Sequence, residues 1–392
     1  MIYYIILFLI LQSSFSAIFM QTFIGKISLI LILIYSLCLL ITNSFRLNKR
    51  DLCIVIILNS LIFFKILIQG VDFTEIGYII KITSIFIICN FKSMEETIEK
   101  LDNILSFLCK ISLIGFILVN SLLKVQIEKF SYLINDYKTW YLFYGYRGER
   151  SYQNAGFTWE PSIFASIVAI FLFYNLVGGN PKRLRIQRVI LYTVVLVSTK
   201  STAGIILLSL NYFYFTYFRL KNKILMLLLL VFLIFNPYTR EKVVQKIQSR
   251  EKIEGNFSAQ AREMHKIIDL EIFKENIILG MNTKEETKIR YEMTKKLSIK
   301  NEIIKKFLNL QTEYDITSNS LTGILSNYGV IIFIINYYLY FRFFFKERKI
   351  ENLFFCMILI TTFASQYIVF YPFYMIFWYL PKSFFSNLKI QE

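Results

Sequence analysis

The sequence predicts an all-α, polytopic integral membrane protein with about 12 transmembrane helices and a large helical extracytoplasmic loop. Of its 392 residues, 56% are hydrophobic and only 18% are charged, whereas about a quarter of the residues in a typical soluble chain are charged. Apolar runs of about 18 or more residues, long enough to span a bilayer as a helix, recur along the chain. Lys and Arg are concentrated in short segments between these runs, as the positive-inside rule describes for cytoplasmic loops.

The apolar segments that predict the spans are residues 2–20, 23–42, 52–69, 74–91, 104–123, 159–178, 187–199, 202–218, 223–236, 319–341, 352–369 and 370–381. Two stretches are ambiguous, because 189–218 and 353–380 are each too long for one span and short for two at about 1.5 Å per residue. Turns near 198–202 and 365–366 would divide each of them into two spans.

The distribution of charge also predicts the orientation. With the N-terminus in the cytoplasm, the basic segments become inner loops and the short outer turns hold almost no basic residues. Both termini are therefore expected in the cytoplasm, and the net charge of +17 requires no nucleic acid partner. The chain then divides into transmembrane helices 1–5 (1–123), a first extracytoplasmic loop (124–158), transmembrane helices 6–9 (159–236), a large extracytoplasmic helical loop (237–319), and transmembrane helices 10–12 with a cytoplasmic tail (320–392).

Several kinds of site are not indicated by the sequence. The five cysteines lie within or at the edge of apolar runs and none pairs at CxxC spacing, so neither a zinc site nor a disulfide framework is expected. The chain has no GxxxxGK(S/T) phosphate loop, no GxGxxG between strand and helix, no HExxH and no GxSxG. We therefore expect no metal and no cofactor.

The stretch "AGFTWEPSIFA" at 155–165 places a carboxylate at the start of an apolar run. Glu160 precedes a proline, which is favoured in the first turn of a helix, so the acid could simply complement the helix macrodipole. Alternatively, it could lie at the mouth of a cavity and accept a proton from a polar substrate. Trp159 could stack on a sugar or anchor in the interface. Arg147 and Arg150 suit a lipid diphosphate, although exposed loop arginines are often only solvated.

The large loop contains a second group of polar residues in "SAQAREMHKIIDL". Arg262, His265 and Asp269 lie at i, i+3 and i+7, which is one face of a helix, and the apolar residues that recur on another face are Met264, Ile268 and Ile272. Asp269 could orient the ring of His265, the only histidine in the chain, for acid–base chemistry. A histidine on a charged helix can equally be part of a plain solvated surface.

Four short elements give the chain a family resemblance. They are G-F-x-x-E-P-S at 156–162, S-x-A-G at 201–204, Ala-Arg-Glu at 261–263, and Ser-Asn followed by a glycine at 318–329. With many apolar spans and two outer loops, they resemble the Wzy-type O-antigen polymerases, within the O-antigen ligase and polymerase superfamily. The related ligases carry a histidine where this chain has Ser318, which favours the polymerase.

One departure from the polymerase pattern concerns the first loop. The family usually has an arginine close before the glycine of the Glu-Pro element, and near that position this chain has Gln153. Arg150 and Arg147 lie further upstream, and either one could take the role of the missing arginine.

The resemblance implies a glycosyltransferase at the outer face of the bacterial inner membrane. A growing glycan would pass from undecaprenyl diphosphate to a lipid-linked repeat unit, with Arg262 and a first-loop arginine binding the diphosphate. Glu160 or His265 would act on the acceptor hydroxyl, and the other residues expected to bind substrate are Trp159, Ser318 and Asn319. The resemblance further implies that the configuration at the anomeric carbon inverts and that no metal takes part. A partner that regulates chain length is optional in this hypothesis. A ligase-like transferase and a flippase of lipid-linked oligosaccharides remain the alternatives.

Overall fold

The computed structural model describes residues 1–16, 19, 22–42, 48–120, 128–132, 135–140, 144–147, 152–158, 160–178, 180–219, 257–299, 304, 320–381 and 384–387. Its α-helices are α1 (Ile2–Phe15), α2 (Phe23–Thr42), α3 (Lys49–Gln69), α4 (Phe73–Phe91), α5 (Met94–Asn120), α6 (Pro161–Val177), α7 (Lys182–Thr199), α8 (Thr202–Tyr214), α9 (Phe257–Glu275), α10 (Glu286–Ser298), α11 (Ser320–Lys346), α12 (Ile350–Ser365), α13 (Pro372–Met375) and α14 (Phe384–Asn387). A π-helical segment, Phe215–Arg219, continues α8, and 3₁₀ turns occur at Thr283–Glu285 and Ile376–Tyr379.

Within the described residues, five helices are long and apolar enough to cross a membrane, namely α2 to α5 and α11. Four shorter apolar helices accompany them: α1, α6, α12, and α8 with its π-helical continuation. Large apolar side chains on the long helices are exposed, examples being Ile30, Phe63 and Leu67. Such a surface is normally covered by lipid or a partner rather than by water. The chain is thus a helical membrane protein, and the total of 12 spans stays a prediction.

Helix α6 forms the centre of the bundle. Every residue from Ser162 to Val177 is buried, and α6 packs against α7, α8 and α12. A helix that is apolar on all sides belongs in the interior of a bundle. Close packing is helped by small residues, since a Cβ placed on Gly204 of α8 would lie 3.2 Å from Cβ of Ala165. Glu160, immediately before α6, is therefore held by the most deeply buried helix.

Both ambiguous stretches turn at the predicted positions. Helix α7 ends at Thr199 and α8 begins at Thr202, with Lys200 between them at a φ of 46°. Helix α12 ends at Ser365. The segment predicted as the last span, 370–381, differs: it contains only α13 and the 3₁₀ turn Ile376–Tyr379. These residues are almost all buried, which is the condition under which irregular backbone is tolerated at membrane depth.

The segment predicted as the first outer loop contains strands that the sequence did not predict. Strands β1 (Glu128–Tyr132), β2 (Asn135–Trp140) and β3 (Tyr144–Arg147) form an antiparallel sheet in that order. Tyr144 is buried beside Gly115 of α5, where an added Cβ would lie 2.7 Å from the Tyr144 ring. This contact anchors the sheet to the bundle. The predicted span at 223–236 lies outside the described residues.

Helix α11 is interrupted at Gly329, where φ is 73° and ψ is −178°. Such a φ is readily adopted only by glycine. Helices α9 and α10 contact the part of α11 before this break. The segment between them contacts the end of α3 and the start of α4. We call this side of the bundle, where α3 and α12 finish and α6 and α11 begin, the loop end, and the other side the opposite end.

Candidate functional site

The carboxylate of Glu160 bonds to side chains of two elements, its own helix and the residue after α12. Glu160 occupies the N-cap position of α6, yet its side chain makes no capping hydrogen bond. Its Oε2 accepts hydrogen bonds from Nε2 of Gln366, at 2.9 Å, and from Oγ of Ser162, at 3.2 Å. A carboxylate that served only as a cap would bond to the first backbone N–H groups of the helix. Glu160 instead takes part in a contact between separate elements.

Gln366 connects the starts of α6 and α11. Its Nε2 also donates to Oγ of Ser162, at 2.8 Å. Its backbone carbonyl accepts from the backbone N–H and the hydroxyl of Ser320, at 3.0 and 2.7 Å. The residue that follows α12 therefore holds the Glu-Pro-Ser element against the first residue of α11. Sequence reasoning named 365–366 only as a turn and did not recognise this role.

The loop before Glu160 is fixed on the turn between α7 and α8. Asn154 bonds to Ser198 twice, from its backbone N–H at 3.1 Å and from its side-chain amide at 2.9 Å. Its Oδ1 accepts from the hydroxyl of Ser112, at 2.7 Å. Gly156 has a φ of 57°, and an added Cβ would lie 2.6 Å from the ring of Phe164. The G-F-x-x-E-P-S element and the S-x-A-G turn are thereby neighbours at the loop end.

Helix α9 has the predicted amphipathic pattern, and its polar face is buried as well. Met264, Ile268 and Ile272 are buried, as their spacing predicts. Asp269 is fully buried on the side that contacts α11, where it accepts from the hydroxyls of Thr322 and Ser326 at 2.8 and 3.0 Å. The face predicted to be solvated or catalytic is therefore where α9 attaches to the membrane bundle.

Arg290 is the residue at the centre of this contact, and sequence reasoning missed it. It is 2% exposed, and its NH1 lies 2.8 Å from Oδ1 of Asp269. Its Nε donates to Oε1 of Glu286, at 2.8 Å, and NH2 donates to Oδ1 of Asn327, at 3.3 Å. Burial opposes the charged form, but Asp269 and Glu286 raise the pKa of Arg290 above its ordinary value. The i, i+4 spacing of Glu286 and Arg290 was the signal available in the sequence.

His265 lies beside this charged pair. It is 8% exposed. Burial, reinforced by the positive charge of Arg290 and opposed by Asp269, lowers the pKa of His265 to about 4. The imidazole is therefore neutral at physiological pH and supplies no positive charge for a phosphate. A role for His265 as the base stays a prediction.

A second buried ion pair adjoins the first. Nζ of Lys65, near the end of α3, lies 3.1 Å from Oε1 of Glu75 in α4. Lys65 also donates to the backbone carbonyl of Asn327 and lies 4.3 Å from the centre of the Tyr328 ring. The hydroxyl of Thr283 donates to Oε1 of Glu75 at 2.8 Å. The two ion pairs thus meet at the end of the first segment of α11.

The charges of this network are compensated internally. The cations of Lys65 and Arg290 contact carboxylates of Glu75, Asp269 and Glu286. Two cations beside three carboxylates do not attract a diphosphate, because the local field is not positive. Cations that bind such a group would have to come from other positions of the chain.

The predicted cations and contact residues are distributed as follows. Arg147 is the last residue of β3, and Arg262 lies on α9 two turns before Asp269. Arg150, Trp159, Ser318 and Asn319 lie outside the described residues. The convergence of arginines from two outer loops therefore stays a prediction. The structure does bring together Glu160, the start of α11 and the helix that carries Arg262.

Among the described residues, no group of three or more His, Cys, Asp or Glu side chains could hold a metal ion. Comparison with known proteins gives no family for this chain: no family model and no curated protein matches it.

Proposed function

We propose that the protein is a glycan polymerase of the outer face of the bacterial cytoplasmic membrane. Its substrates would be oligosaccharide repeat units linked to undecaprenyl diphosphate, and its product an O-antigen or capsule-like polysaccharide. The observation that carries the proposal is the meeting of separate sequence elements at one end of an apolar bundle. Glu160, the 198–204 turn and the start of α11 are joined by hydrogen bonds through Gln366 and Asn154, and α9 packs against α11 beside them.

The position of the site suits a lipid-linked substrate. A polyprenyl tail can remain among apolar helices while its diphosphate and sugars reach polar groups at the bundle end. The half-buried carboxylate of Glu160 lies at this boundary, bonded on one oxygen by Gln366 and Ser162. An oriented carboxylate at such a boundary can act on a hydroxyl while water is largely excluded.

The proposed reaction is a single displacement. The acceptor sugar hydroxyl gives its proton to Glu160 as its oxygen forms a bond to the anomeric carbon of the donor. The bond from that carbon to the diphosphate breaks, and undecaprenyl diphosphate leaves with the electron pair. Arg262 and either Arg147 or Arg150 bind the diphosphate as its negative charge grows, because guanidinium groups bond phosphate oxygens in pairs. The anomeric configuration inverts.

The most deeply buried lysine of the spans does not support the flippase alternative. A transporter would need charged groups along its path near the middle of the membrane. Lys65 is the basic residue of the spans that the structure buries most completely, and it lies one turn from the end of α3, paired with Glu75. It is therefore part of the loop-end network.

Complementation of a deletion strain tests the proposal. Variants Glu160→Gln and Arg262→Ala should leave single capped repeat units and no long chains, whereas Arg262→Lys should keep part of the polymer because the charge remains but the paired bonds are lost. Arg183→Ala, an exposed position at the opposite end, is the matched control and should give normal chains. Glycan laddering on a gel is the measurement.

The same gel distinguishes the alternatives. Loss of all capped product on deletion of the protein would indicate a ligase or a flippase. Normal chain length in both Glu160→Gln and Arg262→Ala would remove these residues from the mechanism.

A further inference from the structure

The large hydrophilic loop contains one short apolar run, "NIILGM" at 276–281. It directly follows α9. Ile277 and Ile278 are 52% and 63% exposed, among the most exposed aliphatic side chains of the region. Two adjacent exposed isoleucines in an otherwise polar loop require either an apolar partner or an apolar solvent.

This run is wedged into the break in α11. In a continuous helix, the carbonyl of Ser326 would accept from the N–H of Val330. Here the Ser326 carbonyl accepts from the N–H of Met281 at 2.7 Å, and the Val330 N–H donates to the carbonyl of Ile277 at 2.8 Å. The loop thus supplies the hydrogen-bond partners on both sides of the break.

Two glycines make this close approach possible. An added Cβ on Gly329 would lie 2.1 Å from the carbonyl oxygen of Ile278, and one on Gly280 would lie 2.4 Å from the backbone of Asn327. Both glycines also have positive φ, 73° and 70°. A side chain at either position would therefore push the loop out of the break.

Part of the backbone of the run is paired with other protein groups. Hydrocarbon offers no hydrogen bonds, so irregular backbone that approaches it is favoured where protein supplies partners. Besides the two bonds to α11, the Gly280 N–H donates to the Asn276 carbonyl at 3.0 Å and the Gly280 carbonyl accepts from Nε2 of Gln69 at 3.1 Å. The paired groups lie on the side of α3 and α11, while the side chains of Ile277 and Ile278 are exposed.

The exposed isoleucines lie next to helix segments that also carry exposed apolar side chains. Gln69, which bonds to the run, ends α3, whose Leu67 and Ile68 are 66% and 55% exposed. Val330, which also bonds to it, begins the second segment of α11, whose Ile331 and Ile334 are exposed. The run is thus seated between the ends of two spanning helices.

We propose that residues 276–281 insert into the bilayer surface, with Ile277 and Ile278 at the boundary between headgroups and acyl chains. The partner is the lipid bilayer itself, recognised by apolar burial in the way an interfacial anchor is. The insertion fixes the level at which α9 and α10 sit over the bundle. Insertion of residues 276–281 does not depend on which reaction the protein catalyses.

The test places an added tryptophan in the full-length protein in phosphatidylcholine vesicles whose acyl chains are brominated close to the headgroup. Ile278→Trp should add emission that brominated lipid quenches strongly and aqueous acrylamide quenches weakly. Lys274→Trp, four residues earlier and exposed on α9, is the matched control and should show the reverse. The unsubstituted protein with its three tryptophans supplies the baseline.

A second variant tests the wedge. Gly329→Ala added to Ile278→Trp should reduce quenching by brominated lipid and increase quenching by acrylamide. Gly77→Ala in α4, where an added Cβ meets nothing within 4 Å, should leave both unchanged. Strong acrylamide quenching and weak lipid quenching of the tryptophan at 278 with the glycines intact would overturn the proposal, whatever the outcome of the glycan assay.

Discussion

The two ends of the bundle each contain a buried arginine paired with a buried aspartate. At the loop end, Arg290 lies 2.8 Å from Asp269. At the opposite end, Arg188 lies 2.9 Å from Asp102. All four side chains are less than a tenth exposed. The chemistry and geometry of the two pairs are nearly the same, so the difference between them lies in what each pair connects.

The opposite-end pair joins the spanning helices to one another. Asp102 of α5 accepts from the hydroxyl of Tyr192 at 2.5 Å, and from the amides of Asn180 and Asn175 at 2.8 and 3.2 Å. Its partners belong to α6, α7 and the turn between them, which apolar packing already holds together. Satisfying a buried carboxylate so completely offsets its desolvation.

The loop-end pair instead joins the large loop to the bundle. Asp269 belongs to α9, Arg290 to α10, and their further contacts are Ser326 and Asn327 of α11. These elements have few apolar contacts: Ile268, Ile272, Met281 and Met293 form a small cluster separate from the main core. The pair at the opposite end therefore reinforces helices that already pack together. The pair at the loop end is a principal attachment of the large loop to the bundle.

Removing one partner from each pair is expected to have the largest effect. Arg290→Ala and Arg188→Ala should each destabilise the protein by about 3–5 kcal/mol, because a buried carboxylate is left unpaired. The difference should appear in location: Arg290→Ala should make 257–299 sensitive to protease before global unfolding, whereas Arg188→Ala should lower thermal stability with the loop still protected. Limited proteolysis and thermal unfolding in detergent measure the two effects.

Replacing both partners sharpens this comparison. Asp102→Leu with Arg188→Met should recover part of the stability lost in Arg188→Ala and keep glycan polymerisation, since an apolar pair can substitute for a buried ion pair while the donors around Asp102 lose an acceptor. Asp269→Leu with Arg290→Met should likewise recover part of the stability but not long chains, because the hydroxyls of Thr322 and Ser326 lose their acceptor beside α9. Equal polymer from the two double variants would contradict the distinction between the ends.

Acidification is expected to weaken the loop end by a smaller amount. The pKa of His265 is about 4 in the folded protein against an ordinary value of 6.5, so the unfolded chain binds the proton more readily between these values. The free energy of unfolding therefore falls by at most about 3 kcal/mol as pH drops from about 6.5 to about 4. Titration of His265 does not change it above about pH 6.5. Protease sensitivity of 257–299 across this pH range measures the effect.

His265→Gln is the control, because it removes the titrating group and keeps a polar side chain. The pH dependence over this range should be flatter in the variant. Since the chain has only this histidine, a slope that is unchanged in His265→Gln would assign the effect to carboxylates. The opposite end should stay intact over the same range.

The features of the fold that depend on local pattern could be predicted from the sequence. Hydrophobic length places α2 to α5 and α11, and the turns near Lys200 and Gln366 follow from polar residues between apolar runs. The apolar stripe of α9 follows from helical spacing. The sheet at 128–147 was missed because its strands are only 5, 6 and 4 residues long, too short for a clear alternating pattern.

The site could be predicted only in part. Glu160 was identified because a charge before an apolar run is conspicuous. Arg290 was not, because its i, i+4 spacing with Glu286 is also common among solvated charges on a helix surface, and its partner Asp269 lies on another helix. Pairing across such a distance depends on how α9 and α10 fold over α11, which local pattern does not determine.

The break at Gly329 was not predicted, and the glycine itself was named only as part of the family resemblance. Its physical basis, the insertion of residues 276–281 into α11, involves backbone atoms of two distant segments. Backbone contacts of this kind leave almost no trace in sequence beyond the glycines that permit them.

The smallest of the predicted effects concerns two amides that hold a carboxylate, one at each end. Gln366 donates to Glu160 at 2.9 Å, and Asn175 donates to Asp102 at 3.2 Å. Gln366→Leu should lower the rate of polymerisation about tenfold, which corresponds to about 1.4 kcal/mol, with little change in thermal stability. Asn175→Leu should lower thermal stability with little change in the rate, because the carboxylate that Asn175 bonds, that of Asp102, is buried between helices away from the site. Rates from membrane vesicles supplied with lipid-linked repeat units are the measurement.

Gln366→Glu separates positioning from packing. It places a second carboxylate about 3 Å from that of Glu160, and two such groups cannot both be ionised without strong repulsion. The acid limb of the pH–rate profile should therefore move to higher pH, and the rate should recover as pH rises. Asn175→Asp introduces the same change at the opposite end and should lower stability without moving the limb. If Gln366→Glu lowered the rate equally at every pH, Gln366 would be a packing residue, and Glu160 would lose its assignment as the group that accepts the proton.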